Sequence, residues 1–142
     1  MAPPRPFTIK AASRFHTLLY RATRGRLGRR LGGHPVLLLT TTGRRSGRRH
    51  TVPLLYLRDG SELVVIASFA GRDSHPAWYL NLRGGARARV QVDGERFTVT
   101  ARDALPEERP RLWALAVAEY PGYAAYQERT ARLIPLVRLQ RA

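Results

Sequence analysis

Seven consecutive residues, Gly43-Arg44-Arg45-Ser46-Gly47-Arg48-Arg49, bring four guanidinium groups, a hydroxyl and two glycines into one short stretch. Glycine permits positive φ and close approach of a ligand, successive N–H groups make an anion-binding concavity, and guanidinium forks match phosphate or carboxylate oxygens. The chemistry on offer is anion binding. A solvated basic hairpin tip has the same composition, so this stretch alone leaves both readings open. Two other groups stand out. Pro76-Ala77-Trp78-Tyr79-Leu80-Asn81-Leu82 sets two aromatics and an amide side by side, and Tyr120, Tyr123 and Tyr126 recur at three-residue steps around Pro121-Gly122. At that spacing the tyrosines share a helical face and offer hydroxyls and flat surfaces to an aromatic ligand. Core packing is the plainer role, above all for Trp78.

Other chemistries find little support. There is no cysteine, so disulfides, thiolate metal sites and a cysteine nucleophile are excluded. His16, His34, His50 and His75 show no i, i+4 pairing of the kind that builds a catalytic metal site. No Gly-x-Ser-x-Gly elbow is present, and the basic turn lacks the lysine and spacing of a P-loop. Only 10 acidic residues are available for paired-carboxylate work. An anion-binding turn, an aromatic wall and few acid–base groups suit a site in which a bound cofactor performs the reaction and the protein positions it.

The elements that must hold these groups are legible as strands. Val36–Thr42 is an apolar run that feeds the basic turn, Thr51–Leu57 leaves it, and Glu62–Ser68 follows across Arg58-Asp59-Gly60-Ser61, a hairpin-turn sequence. A helix is predicted from Pro76 to about Arg83, stopped by Gly84-Gly85. Arg87–Val92 and Glu95–Ala101 flank Asp93-Gly94, a favoured two-residue turn, with Ala88, Val90 and Val92 on one face and Arg87, Arg89 and Gln91 on the other. Helices are predicted from Pro106 to Tyr120, with Glu107 and Glu108 in the first turn, and from Tyr123 to Arg132. Ile134–Leu139 supplies a last strand. The expected fold is mainly β (α+β), a small barrel of six or so antiparallel strands with helices closing its ends.

At 142 residues the chain reads as a barrel over 34–142 preceded by a basic helix and loop over 1–33. Ala12, Phe15, Leu18 and Leu19 recur at helical spacing within 9–20, and 24–33 reads as a glycine- and arginine-rich loop. Net charge is +15, from 25 basic and 10 acidic residues, and every basic residue but Lys10 is arginine. Such an excess points to an anionic partner: nucleic acid, an acidic membrane surface touched by the N-terminal helix, or a charged cofactor. The aromatics are not interleaved with the arginines as a nucleic-acid stacking platform requires, so no nucleic acid is expected. No apolar run approaches the length of a membrane span, and a cytoplasmic location is expected.

Four segments resemble, in order and spacing, the deazaflavin-dependent nitroreductase family: Leu37 to Gly47, Val52-Pro53-Leu54, His75 to Leu82, and Tyr120-Pro121-Gly122-Tyr123-Ala124-Ala125-Tyr126-Gln127. The resemblance implies a split β-barrel like that of the flavin reductases and pyridoxamine-phosphate oxidases. It also implies coenzyme F420, a deazaflavin with a phosphate and an acidic oligoglutamate tail, in preference to FMN. By position, Arg44, Arg45 and Ser46 would hold phosphate and tail. His50, Thr51, Val52, Pro53, Leu54 and Leu55 would run beside the cofactor, and Ile66, Ala67, Ser68 and Phe69 would approach its ring. Ala77, Trp78, Tyr79, Leu80 and Asn81 would contact it from the helix, with Tyr123 closing the pocket and Tyr120 and Tyr126 lining the acceptor side. The implied reaction is hydride transfer to a quinone-like or nitro-containing acceptor by a monomer or dimer, with Ser68 and the tyrosines orienting the acceptor and no metal. Three positions depart from the family pattern: Arg45 and His50 replace a usual lysine and arginine, and Phe69 replaces a lysine that often follows the serine. A non-catalytic F420 or flavin binder and a basic nucleic-acid-binding module are the alternatives.

Overall fold

A computed structural model describes residues 30, 31 and 33–142. The helix predicted over 9–20, most of the loop over 24–33 and the membrane contact assigned to that region lie outside the described residues. The strands are β1 (Arg30–Leu31), β2 (His34–Thr42), β3 (Arg49–Asp59), β4 (Glu62–Ile66), β5 (Arg87–Val92), β6 (Glu95–Asp103) and β7 (Leu136–Arg141). The helices are α1 (Ala77–Leu82), α2 (Arg109–Glu119) and α3 (Gly122–Glu128). All strand pairs are antiparallel, in the order β1-β2-β3-β4-β7-β6-β5. A further pairing of β5 with β2 closes the remaining six strands into a barrel.

Because β2 is hydrogen-bonded along both edges, Leu38 faces Pro53 on one side and Gln91 on the other. Its apolar run Val36–Leu39 is accordingly no more than 2% exposed. Alternation then divides the apolar side chains between two cores. Leu37, Leu39, Leu63, Val65, Val90 and Val99 fill the barrel, where Trp78, Tyr79 and Leu82 of α1 join them. Val64 and Ile66, on the other face of β4, pack with Ile134, Leu136, Leu112, Ala116 and Tyr123. Thus, among the described helices, only α1 shares the barrel's interior core, whereas α2 and α3 cover its outer wall. A strand apolar on both faces demands such cover, and this differs from the expectation that the helices close the ends.

Within the described residues the predicted strands and helices are present, with local corrections. Arg30 and Leu31, read as loop, pair with Pro35 and His34. β4 stops at Ile66 rather than Ser68, where its partner β7 begins after Pro135, a residue with no N–H to donate. Helix α2 begins at Arg109, three residues later than expected, because Glu108 caps the preceding turn by accepting from the Leu105 N–H at 2.8 Å. Helix α3 ends at Glu128 rather than Arg132. Gln91, expected outward among arginines, is 8% exposed because β2 flanks it.

Three of the scarce acidic residues are committed to one ion network. Arg138 on β7, 7% exposed, donates to Glu62 at 2.7 Å and lies 2.9 Å from Asp59 and 3.3 Å from Glu108. Arg111 of α2 grips Asp59 with both Nη groups at 2.9 Å, and Arg102 reaches Glu108 at 3.0 Å. The network ties the β3–β4 hairpin to β7 and α2. Hydrogen bonds from Arg111 and then Arg138 hold the Asp59 carboxyl far below the usual carboxylate range. Since its folded value lies below the unfolded value near 4, its stabilisation is present above about pH 4 and lost as pH falls toward the folded value. Asp59→Asn is expected to cost about 2 kcal/mol at pH 7 and to flatten the acid-side decline below about pH 4. Urea unfolding at both pH values checks this; parallel pH profiles for variant and parent would refute it.

Candidate active site

The turn between β2 and β3 is held largely by its own bonds. Gly43 N–H donates to Arg48 O at 2.7 Å, Gly47 N–H to Gly43 O at 2.9 Å, and Arg48 N–H to Ser46 Oγ at 3.2 Å. Arg44 N–H donates to Asn81 Oδ1 on α1 at 3.1 Å. The concavity expected from successive N–H groups therefore narrows to those of Arg45 and Ser46, which have no partner among the described residues. Arg44, Arg45, Arg48 and Arg49 are exposed, and among the described residues none forms an ion pair with an acid. Gly43 is required by close approach: a Cβ there would sit 2.6 Å from Ser46 Oγ and 3.0 Å from His50 Nε2. His50 faces Thr41 across the ladder, with Val52 and Leu54 following on the interior face. Thr51, Pro53 and Leu55 take the opposite face, where the Thr51 and Thr40 hydroxyls meet at 2.7 Å. The run His50–Leu55 is thus split between the two faces of the sheet.

Helix α1 turns its aromatics into the barrel. Trp78 and Tyr79 are 7% and 8% exposed. The Tyr79 hydroxyl donates to Asp103 at 2.9 Å, and burial together with that carboxylate pushes its pKa up. Ala77 is exposed, and Leu80 and Asn81 are half-buried. Asn81 Nδ2 donates to the buried Thr41 hydroxyl at 3.0 Å while its Oδ1 accepts from Arg44, so one amide seats α1 on the basic turn. Cavities of about 690 and 420 Å³ lie elsewhere, and of the sequence-predicted residues only Tyr79 lines either. The candidate site is an open surface assembled from several segments.

After β4 the chain passes Ala67 and Ser68 into a 3₁₀ turn over Phe69–Gly71, with φ of 46° at Phe69, 55° at Ala70 and 77° at Gly71. The first two are left-handed without being glycine, at a cost of about 1–2 kcal/mol each. Gly71 abuts α3, where an added Cβ would meet Tyr126 O at 2.7 Å. A single side chain holds this turn: Arg132 donates to Ser68 O at 2.7 Å, Ala67 O at 3.1 Å and Arg72 O at 2.7 Å, and contacts His75 Nδ1 at 3.2 Å. A guanidinium has no acceptor, so this last contact requires His75 neutral with Nδ1 unprotonated. Burial and then the Arg132 and Arg83 charges lower the His75 pKa, consistent with that form. Gln127 in turn fixes the segment, donating to Arg132 O at 2.8 Å and accepting from Ile134 N–H at 3.0 Å.

The three tyrosines form one cluster, with ring centroids 5.0 Å apart for Tyr120–Tyr123 and 6.0 Å for Tyr120–Tyr126. Their roles divide by burial. Tyr123 is 5% exposed, and burial drives its pKa well up. Tyr120 and Tyr126 are half-buried with hydroxyls 3.1 Å apart, and burial followed by that contact pushes Tyr126 up to about 12. Gly122 permits this arrangement, because a Cβ there would fall 2.4 Å from the Tyr120 ring.

The structure therefore gathers the predicted residues into two groups. Arg44, Arg45, Ser46, His50 and Asn81 meet where α1 seats on the β2–β3 turn, and Ser68, Phe69, Tyr120 and Tyr126 belong to the loop and helix joined by Gly71 and Arg132. Ile66, Ala67, Trp78, Tyr79 and Tyr123 are buried in the two cores. Sequence reasoning missed Arg132, Gln127 and Thr41. Arg132 carried no local signal in an arginine-rich chain, for its partners lie 57–65 residues away.

Comparison with known proteins identifies the relatives of this chain. A family model described as F420H(2)-dependent quinone reductase matches residues 12–141. An F420H(2)-dependent quinone reductase of Mycobacterium tuberculosis is 39% identical over 132 residues, covering 90% of this chain and 89% of that protein. Among solved structures, an F420-H2 dependent reductase (FDR-A) superposes with a TM-score of 0.67 at 39% identity, covering 75% of this chain and 94% of that one. A second, described as a domain-swapped dimer, gives 0.70 at 35% identity, covering 89% and 96%. The chain belongs to the F420H(2)-dependent quinone reductase family.

Proposed function

We propose that this chain transfers a hydride from reduced coenzyme F420 to a quinone, with the β2–β3 turn holding the cofactor's anionic end and the Ser68 loop and tyrosine cluster receiving the acceptor. Family membership makes it an F420-dependent oxidoreductase. The observation that carries the assignment of the turn is the set of four exposed arginines without acid partners around the open N–H groups of Arg45 and Ser46. That donor set fits a phosphate followed by carboxylates. FMN offers the phosphate but no acidic tail.

Bound reduced F420 supplies the hydride from its deazaflavin ring. The chain's own residues bind and orient. Arg44 and Arg45, with Arg48 and Arg49 beside them, neutralise the tail, and the Ser46 hydroxyl is free to donate because its oxygen accepts from Arg48 N–H. At the other group, the half-buried Ser68 and the Tyr120–Tyr126 hydroxyl pair supply donors for an acceptor oxygen that gains negative charge. With its pKa pushed up to about 12, Tyr126 stays protonated at neutral pH and serves as a donor of hydrogen bonds rather than as a ready acid. Tyr123, beneath them, packs the pair in place. Phe69 puts an apolar ring on this loop, which suits an uncharged quinone. Nitro compounds present similar oxygens and are a second acceptor class.

Three outcomes are expected. Replacing Arg44 and Arg45 by alanine should weaken F420 binding about tenfold per arginine and FMN binding less, as read by fluorescence titration. Equal losses for the two cofactors would mean that the turn contacts only their shared phosphate. Tyr126→Phe should lower kcat for menadione reduction about tenfold with little change in F420 affinity, and unchanged turnover would remove the hydroxyl pair from the site. Asn81→Ala leaves the buried Thr41 hydroxyl unpaired and should cost about 1–3 kcal/mol while weakening F420 binding through the loosened turn. Full F420 affinity in that variant would separate the turn from α1.

A further inference from the structure

Resting on the reading above, we propose that Arg132 is a positioning residue of this reductase, fixing the strained Ser68–Gly71 turn between the entrance to α1 and the tyrosine helix so that Ser68 and the hydroxyl pair address one acceptor. The turn does not hold itself. Two of its residues take left-handed backbone without being glycine, and its internal contacts include Gly71 N–H to Ser68 O at 2.9 Å, Arg72 N–H to Phe69 O at 3.1 Å and the Arg72 guanidinium 4.9 Å over the Phe69 ring. A strained conformation persists only when its surroundings over-determine it. The Arg132 fork does so by binding carbonyl oxygens on both sides of the turn, from Ala67 and Ser68 before it and from Arg72 after it. Its fourth contact, His75, lies two residues before α1, which seats the basic turn through Asn81. The Gln127 side chain fixes the Arg132 backbone from α3, between Tyr126 and the end of the helix. One planar cation therefore sets the distance between cofactor-holding and acceptor-holding segments, and a small misplacement there costs rate far more than affinity.

Lysine preserves the charge but offers a single ammonium in place of the fork. In Arg132→Lys, hydrogen exchange of the cofactor-free protein should be about tenfold faster at the Gly71 and Arg72 amides and unchanged in β5 and β6. With the cofactor, kcat for menadione should fall by about thirtyfold while the F420 dissociation constant stays within about threefold. Unchanged exchange and turnover, or parallel loss of affinity and turnover, would overturn the proposal. A second variant reads the same linkage through pH. His75 faces Arg132, Arg83, Asp103 and the Tyr79 ring, 4.8 Å away. Its protonation would set two cations against each other, and because burial and the neighbouring guanidinium charges lower its pKa, kcat of the parent should decline only on the acid side of the ordinary histidine range. His75→Gln, which keeps an acceptor for Arg132, should lose that acid limb; a limb that persists in the variant, or is absent from the parent, counts against the proposal. A parent protein that binds F420 without oxidising its reduced form refutes the reductase reading, while the exchange experiment still decides whether Arg132 fixes the turn.

Discussion

Closure of the sheet by β2 against β5 is the constraint on which the rest of the molecule depends. With both edges of β2 paired, Val36–Leu39 is buried throughout and the six strands enclose a space wide enough only for side chains. That space must be filled to native density, and α1 contributes to filling it with Trp78, Tyr79 and Leu82. Once α1 is committed in this way, its remaining face is free to hold the β2–β3 turn through Asn81. The outward faces of β4 and β7 then require α2 and α3, and the tyrosines arrive as part of that outer core. The positions of both groups of candidate site residues thus follow from where apolar surface had to be covered.

The sequence was legible where its signals were local. Asp93-Gly94 marked a hairpin whose register runs from Arg87↔Thr100 to Val92↔Glu95, and the Pro121-Gly122 break correctly separated two helices. The basic turn could be read from its composition because glycine, serine and arginine each have a definite use there. What could not be read was which members of a motif would be spent on the fold. Trp78 and Tyr79 stand beside Asn81 in the chain, yet two face the barrel and the third faces the turn. Similarly, Tyr123 is buried whereas Tyr120 and Tyr126 keep partly open hydroxyls. Period alone does not distinguish these, since burial is decided by the neighbouring strand or helix. Arg132 was illegible for the complementary reason, that all the partners of its guanidinium are distant in sequence.

Charge is apportioned with similar economy. Asp59, Glu62 and Glu108 are drawn into the Arg138 network, which leaves few acids to answer the remaining arginines. The positive surface at the turn is therefore partly a product of the carboxylates being engaged elsewhere. Such a surface attracts anions at long range, but recognition of a particular one requires fixed donors, and the turn supplies these by bonding the Gly43, Gly47 and Arg48 N–H groups internally and the Arg44 N–H to Asn81. A turn already rigid loses little conformational entropy when an anion arrives.

The β2–β3 register adds a restriction of a different kind. His50, Val52, Leu54 and Tyr56 alternate onto the interior face immediately after the turn. A one-residue shift of β3 against β2 would send this set outward, bring Thr51, Pro53 and Leu55 in, and break the pairing of β3 with β4. Register is thereby dictated by the barrel and not by whatever the turn binds. A change of anion at the turn can be met by exchanging side chains at Arg44, Arg45, Arg48 and Arg49, whereas the register of the strand that Arg49 begins is set by the packing inside the barrel.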